Sequence, residues 1–183
     1  MRTTASPILS ALYRGDREEA EKLAETSRLD LFEAAALGRP DGVKEALGKS
    51  PHLASATTDD GFTALHLAAF FSADVACARL LLNAGTDVNA LADNETGLRP
   101  INSAAAAGSS GIVKLLLGRG ADVDAIQNGG FTPLHSAAAN GNAELVSVLL
   151  DFGADRTRTT DDGRTAQALA NERGHAETAR LLD

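Results

Sequence analysis

The sequence contains few of the residues that build aromatic cores or disulfide frameworks. It has no Trp, one Tyr and one Cys among 183 residues, and aromatic residues make up 4% of the chain. A single Cys excludes an intramolecular disulfide and fits a reducing compartment. Because 44% of the residues are hydrophobic and so few carry rings, a core must be packed mainly from Ala, Leu and Val, as between closely stacked helices.

Positive charge is also scarce. The chain has 17 Lys and Arg against 25 Asp and Glu, a formal net charge of −8. A sequence-independent hold on phosphate backbones needs a basic surface, so this balance argues against a nucleic-acid-binding protein. No apolar run is long enough to span a membrane, and the apolar run near Met1 is too short before its charges to be a secretory signal. We therefore expect a cytoplasmic protein.

The most regular stretch, residues 129–155, has the pattern of two short helices joined by a tight turn. Thr132 can cap the first helix, and Pro133 follows at the first helical position, where its missing N–H is harmless. A break at Gly141 precedes a second helix with a wide apolar face, which ends at Gly153. One such hairpin cannot bury both of its faces, so the pattern requires neighbouring hairpins.

The same pattern recurs at a fixed spacing. Gly97, Gly130 and Gly163 are 33 residues apart, and they begin the segments GLRPINSAAAAG, GFTPLHSAAANG and GRTAQALANERG. An upstream copy, GFTALHLAAFF, begins at Gly61. A period of this length indicates an array of stacked structural repeats.

The period, the TPLH box and the closing segments such as LLLGRGADVDA resemble the ankyrin repeat family. The resemblance implies an all-α solenoid of about six stacked helix pairs, two of them abbreviated, with short β-hairpin fingers on the later ones. We expect a single ankyrin-repeat domain over residues 1–183. Its parts are a cap-like partial repeat (6–29), a shortened repeat (30–57), three repeats (58–93, 94–126 and 127–159) and a C-terminal capping repeat (160–183).

Two repeats depart from the pattern. Gly61 and Gly97 are 36 residues apart, three more than the period. We expect one extra residue within SADVACARLLL (residues 72–82) and two in the finger tip around residues 92–95. In the next repeat, Arg99 and Asn102 replace the Thr and His of the box, so we expect the usual bracing of that loop to be weakened.

His66 and His135 occupy the same position of the repeated box. His135 lies beside Ser136 and could act as a catalytic base, whereas the resemblance implies a structural ring that hydrogen-bonds across the loop. Repetition favours the structural role, because catalysis would not need the same residue in several copies. The acidic pairs at the finger tips lack the alternating ligands of a calcium loop, and phosphate-binding and metalloprotease motifs are missing. We expect no enzyme and neither a cofactor nor a metal site.

Apolar residues at positions outside the core are the more informative signal. In ankyrin-like repeats, the finger tips, the residue after the finger Gly and the two residues ending the first helix contact partners. Apolar side chains at these positions could instead pack on one another or on the leading units, since stray exposed hydrophobic residues are common. The candidate partner-binding residues are Phe62, Phe70, Phe71, Leu91, Leu98, Ile126 and Phe131, with Asp59, Asp60, Asp161 and Asp162 at the finger tips.

The function predicted from these features is non-catalytic protein–protein interaction through a concave groove and finger tips. An apolar stripe with an acidic rim favours a partner that carries a basic and an apolar segment. One alternative is a homo-oligomeric assembly protein whose apolar stripe seals a dimer. A less favoured alternative is a hydrolase that uses a His and an acid at the junction of the third and fourth repeats.

Overall fold

In a computed structural model that describes residues 6–183, the regular secondary structure is almost entirely helical. Its internal contacts divide it into two compact units, Met1–Asp87 and Val88–Asp183. Each unit contains three helix pairs in the described residues, which confirms the all-α repeat fold. The assignment of all the repeats to one domain over residues 1–183 stays a prediction.

The first unit begins with two helix pairs that have no finger between them, in agreement with their short spacing. A reciprocal capping box starts the third helix: Asp30 Oδ1 accepts from Glu33 N (2.8 Å) and Glu33 Oε2 accepts from Asp30 N (2.9 Å). The helices of the described first unit are α1 (Pro7–Tyr13), α2 (Arg17–Thr26), α3 (Leu31–Leu37), α4 (Pro40–Lys49), α5 (Ala64–Leu67) and α6 (Val75–Asn83), with a 3-10 turn at Pro51–Ser55 and a π-helical turn at Ala68–Ser72.

The second unit consists of three helix pairs of similar length. Pro100 and Pro133 begin the first helices of two pairs, where no backbone donor is needed. Its helices are α7 (Pro100–Ala106), α8 (Ser110–Leu117), α9 (Pro133–Ala139), α10 (Ala143–Asp151), α11 (Ala166–Glu172) and α12 (Ala176–Leu181), with a 3-10 turn at Asn128–Gly130.

Alanine allows the first helices to lie close together, as the composition predicts. Ala137 and Ala138 of α9 are fully buried, and α9 contacts both α7 and α11. Larger side chains from the second helices complete this core, with Leu145 and Leu149 of α10 also fully buried. In the pair formed by α9 and α10, core packing therefore depends on small residues in the first helix and on branched apolar residues in the second.

Short fingers precede the later helix pairs, and a single bridge or backbone hydrogen bond closes each one. Ala92 N donates to Leu98 O (2.8 Å) in one finger, across a six-residue span, whereas Thr58 N donates to Phe62 O (2.9 Å) across four residues in another. The two extra residues thus lie in the turn at residues 93–97, which confirms a predicted insertion at that tip. The bridges pair Thr57 with Thr63, Gln127 with Phe131 and Thr159 with Thr165.

The third extra residue is accommodated in the first helix of the same repeat. Helix α5 continues into the π-helical turn, and Ala73 N donates to Ala68 O (3.1 Å), five residues earlier. Ala73 has a φ of 53°, a left-handed conformation that costs a non-Gly residue about 1–2 kcal/mol. The prediction placed this residue within residues 72–82, whereas the structure accommodates it in the π-helical turn at Ala68–Ser72, which overlaps that stretch only at Ser72. Phe70 lies on the surface of the widened turn.

His135 connects the box of α9 to the finger that follows it. The side chain is 1% exposed. Its Nδ1 accepts a hydrogen bond from Thr132 N (3.2 Å), and its Nε2 donates to Arg164 O (3.2 Å). These bonds require the neutral ring, and burial lowers the pKa of His135, which favours that form. His66 makes the same Nδ1 contact with Thr63 N (3.3 Å), so both box histidines have a structural role.

Asn102 performs the same function in α7. It is fully buried, its Oδ1 accepts from Arg99 N (3.0 Å) and its Nδ2 donates to Ala125 O (2.8 Å). The amide can replace the imidazole because it also offers one acceptor and one donor at the end of a short side chain. The expectation that Arg99 and Asn102 weaken the bracing of this loop was therefore wrong.

We predict that His135→Asn retains the stability of the wild type, whereas His135→Ala lowers the free energy of unfolding by about 1–3 kcal/mol by leaving buried groups without partners. The wild type and His135→Asn should also differ in how their stability responds to acidic pH. Because the pKa of His135 is lower in the folded chain than in the unfolded one, the wild type loses stability as the pH falls below about 6.5, until the folded pKa is passed. Asn does not titrate, so His135→Asn lacks this loss.

Denaturant unfolding at neutral and mildly acidic pH measures both effects. His66 is present in both proteins, so the difference between the wild type and His135→Asn isolates His135. Equal acid sensitivity of these two proteins, or an Asn variant as unstable as the Ala variant, would contradict the bracing role.

Candidate functional site

Exposed large apolar side chains concentrate on fingers and at the ends of first helices. Among the described residues, six such side chains are well exposed. Four of the six lie at these positions, and the other two lie in or just after second helices. The first four are Tyr13, Phe70, Leu91 and Ile126, and the other two are Phe152 and Leu181.

In the first unit, Tyr13, Phe70 and Phe71 form what we call the aromatic patch. The Phe71 ring makes edge-to-face contacts with Tyr13 (5.2 Å between centroids) and with Phe70 (5.0 Å). Phe70 is 49% exposed, whereas Phe71 is half-buried against the core formed by α1, α2 and α3. Arg17 fixes this turn, since its Nη1 donates to Phe71 O (3.0 Å). Phe70 is thus the exposed ring, and Phe71 packs between it and the core.

The residues that follow the finger glycines are less exposed than the sequence suggests. Phe62 and Phe131 are both half-buried. Each ring packs on the box histidine of its own repeat, with centroids 5.7 Å from His66 and 6.0 Å from His135. Leu98, at the equivalent position, is half-buried too. These three candidates offer only part of their apolar surface to a partner.

In the second unit, Leu91 and Ile126 form what we call the finger pair. Each residue immediately precedes the residue whose N–H closes its finger. Leu91 is 58% and Ile126 is 48% exposed. The two fingers are joined, because Asn128 N donates to Thr96 O (3.0 Å). The pair is therefore carried on a backbone with a fixed arrangement rather than on independent loops.

The acidic candidates lie in two turns of identical sequence, TTDDG, at residues 57–61 and 159–163. In the later turn, Arg164 donates from Nε to Asp162 Oδ1 (3.0 Å) and its Nη2 lies 2.6 Å from Asp162 Oδ2. Hydrogen bonds from Arg164 and from Thr160 lower the pKa of Asp162 to about 2. The charge of Asp162 is thus compensated within its own finger.

The earlier turn borders a cleft in the first unit, which we call the acidic cleft. Its volume is about 540 Å³. Tyr13 forms one side, and the pKa of its phenol is raised by burial and by a hydrogen bond with Asp60. Burial also raises the pKa of Asp30, another lining residue. The lining residues are Ser6, Leu9, Ser10, Tyr13, Asp30, Phe32, Glu33, Thr57, Thr58, Asp59 and Asp60.

The single cysteine has no features of a nucleophile. Cys77 is fully buried in α6, and burial followed by the charge of Asp74 raises its pKa to about 12. No group of three or more His, Cys, Asp or Glu side chains in residues 6–183 is arranged to hold a metal ion. The same part of the chain has no helix long and apolar enough to cross a membrane.

Sequence reasoning missed Tyr13, Phe32, Asp30 and Glu33. A signal for Tyr13 was present, because it ends its first helix two residues before Gly15, as Ala139 precedes Gly141. The rule that selected Phe70 and Phe71 therefore also selects Tyr13. For the other three residues the sequence offers no such signal, since they line the cleft only once α3 is placed beside α1.

A comparison with family models assigns the repeats. Residues 31–127 and 104–182 match the model for ankyrin repeats in three copies. These matches cover most of the chain, and the protein belongs to the ankyrin repeat family. Ankyrin repeats are generally protein–protein interaction modules and are typically non-catalytic. No curated protein matches the chain.

The two phenylalanines of the aromatic patch should differ in their contribution to stability. Phe71→Ala should lower the free energy of unfolding by about 2 kcal/mol, because a half-buried ring is lost from the core. Phe70→Ala should change it by no more than about 0.5 kcal/mol, as at other exposed positions. Thermal or denaturant unfolding of the two single variants measures this. Equal losses would contradict the distinction between the two rings.

Proposed function

We propose that the protein binds a partner protein, without catalysis, through the aromatic patch of its first unit and the finger pair of its second. The observation that carries the proposal is the position of the exposed apolar residues. Four of the six in the described chain lie on fingers or at first-helix ends. Clustered apolar exposure marks interaction sites more reliably than isolated residues do.

The rest of the candidate set has a secondary role in this proposal. Phe62, Leu98 and Phe131 keep part of their surface accessible and border the exposed residues of their fingers. Asp59, Asp60 and Asp161 are exposed and supply a charged rim, which increases the association rate with a basic partner at low salt. Asp162 is exposed too, but Arg164 compensates its charge. The box histidines contribute only the bracing described above.

The finger pair supplies the most direct test. Leu91→Asp with Ile126→Asp should reduce capture of the bound partner at least about tenfold, because it places two charges where apolar contacts form. Phe152→Asp with Leu181→Asp is the matched control, since both residues are exposed apolar side chains that lie in or just after second helices. Its effect on capture should be small. The measurement is quantitative mass spectrometry of proteins captured from native cytosol on each immobilised variant.

The solution mass of the same three proteins tests the homo-oligomeric alternative. We expect a monomer in every case. A dimer that the finger-pair variant dissociates and the control preserves would replace the proposed function with self-assembly. Equal capture by the finger-pair variant and by the wild type would overturn the assignment of the finger pair.

A further inference from the structure

We propose that the π-helical turn at Ala68–Ser72 is a specificity element, which presents Phe70 rather than Phe71 to the partner and lowers the stability of the fold in doing so. The inference rests on the protein-binding function proposed above and specifies how the aromatic patch recognises the partner. The turn and the residues that hold it lie within the first unit.

The turn ends in a backbone conformation that is unfavourable for its residue. In each of the six helix pairs of residues 6–183, the residue before the N-cap of the second helix has a positive φ. Five of these residues are Gly, whereas the third repeat has Ala73, with a φ of 53°. Ala73 is exposed, so burial of its methyl group does not offset the cost of this left-handed conformation.

Ser72 and Gly38 hold the turn in this form. The Ser72 hydroxyl donates to Ala68 O (2.9 Å) and accepts from Asp74 N (3.2 Å), which joins the turn to the start of α6. At Gly38, which ends α3, a Cβ would lie 3.1 Å from Ser72 Cβ. The preceding repeat thus leaves the space that the wide turn requires.

Arg17 adds a contact from α2. Its Nη1 donates to Phe71 O (3.0 Å), and its Nη2 donates to Leu37 O (3.3 Å) at the end of α3. A strained conformation persists only where the surrounding structure fixes it, as α2, α3 and α6 do here. Such retained strain is typical of functional sites, and so are π-helical turns.

The turn changes which residue at the helix end is exposed. Asn140, eight positions after the N-cap Thr132, is exposed, and so are the equivalent residues of the fourth and sixth repeats. In the third repeat the eighth position after the N-cap is Phe71, which is half-buried, and the exposed ring is Phe70 at the seventh. One residue of an α-helix corresponds to a rotation of about 100°. The extra residue therefore accounts for the exposure of Phe70 in place of Phe71.

Phe70 has the form of an anchor residue. It is 49% exposed, and the Phe71 ring supports it edge to face with centroids 5.0 Å apart. Phe71 in turn contacts Tyr13 and the core of the first unit. Aromatic anchors contribute most when they fill a pocket of the partner. The partner that fits this surface is a protein with an apolar pocket for one phenyl ring.

Shortening the turn tests its effect on exposure. Deletion of Ser72 together with Ala73→Gly restores the length and the glycine of the regular repeats, and we call this protein the regular-turn variant. The rate of N-ethylmaleimide labelling reports exposure, because the only native cysteine, Cys77, is fully buried. With the natural turn, Phe70→Cys should react at least about tenfold faster than Phe71→Cys. In the regular-turn variant, Phe71→Cys should react faster than Phe70→Cys.

Ala73→Gly alone is the matched control, since it relieves the strain and keeps the turn. Its melting temperature should be higher than that of the wild type by about 2–4 °C. Its capture of proteins from native cytosol, quantified by mass spectrometry as above, should equal that of the wild type.

Capture by the other variants should follow the exposure of Phe70. The regular-turn variant and Phe70→Ala should each reduce capture of the protein that the wild type retains at least about tenfold. Combining the two changes should reduce capture no further, because both remove the same contact. Unfolding curves establish that each variant folds. If the regular-turn variant does not, Arg17→Gln takes its place, with Arg14→Gln as its control.

Each contrary result overturns the inference. Capture by the regular-turn variant, or by its Arg17→Gln substitute, that equals capture by the wild type would show that the turn does not determine recognition. Reduced capture by the regular-turn variant without an effect of Phe70→Ala would assign the turn to the packing of Phe71 instead. If capture still depends on Leu91 and Ile126 in these cases, the proposed function stands without the turn.

Discussion

The position of a finger in this fold depends on hydrogen bonds from one buried side chain of the preceding helix. His135 holds the carbonyl of Arg164, and Asn102 holds that of Ala125. Both carbonyls belong to finger segments that carry candidate contact residues. Ile126 follows Ala125 directly, and Arg164 neutralises Asp162. Because buried polar groups are costly to leave unpaired, these two braces restrict their fingers to one arrangement and so fix what those fingers present to solvent.

Identical local structure does not produce identical electrostatics here. The two TTDDG turns have the same sequence and the same closing hydrogen bond, yet they differ in the residue that follows. Arg164 compensates Asp162 in the last finger. In the first finger, the hydroxyls of Thr58 and Tyr13, both neutral donors, bond to Asp60. The same position of the turn therefore has different printed partners, hydroxyl groups at Asp60 and a guanidinium group at Asp162.

Repeat period and box motifs were sufficient to predict the fold, because each repeat is a local unit whose caps, breaks and apolar faces are encoded within about 33 residues. The two-residue insertion at the finger tip could also be located from spacing alone. The bracing role of Asn102 was not predicted, because the box motif has a His at this position. The brace itself requires only an acceptor and a donor. Such equivalence becomes visible when the bonded carbonyl of Ala125 is known.

The candidate site was less predictable than the fold, because exposure depends on packing between distant segments. Phe70 and Phe71 are adjacent in sequence, but the π-helical turn and the contact with Tyr13 leave one exposed and the other half-buried. The acidic cleft joins Leu9, Phe32 and Asp59, which no local pattern connects. Sequence rules identified positions where a partner could bind. Only the packed structure showed which of these side chains are exposed and which pack against the core.

Backbone hydrogen exchange of the protein alone and with its captured partner tests the central claim most directly. The account predicts that binding slows exchange in the fingers, at residues 57–62, 91–98 and 126–131, and in the π-helical turn that carries Phe70. Exchange in the second helices α6, α8 and α10 should be unchanged. Slowed exchange confined to those second helices would show that the partner binds elsewhere, and it would contradict the account.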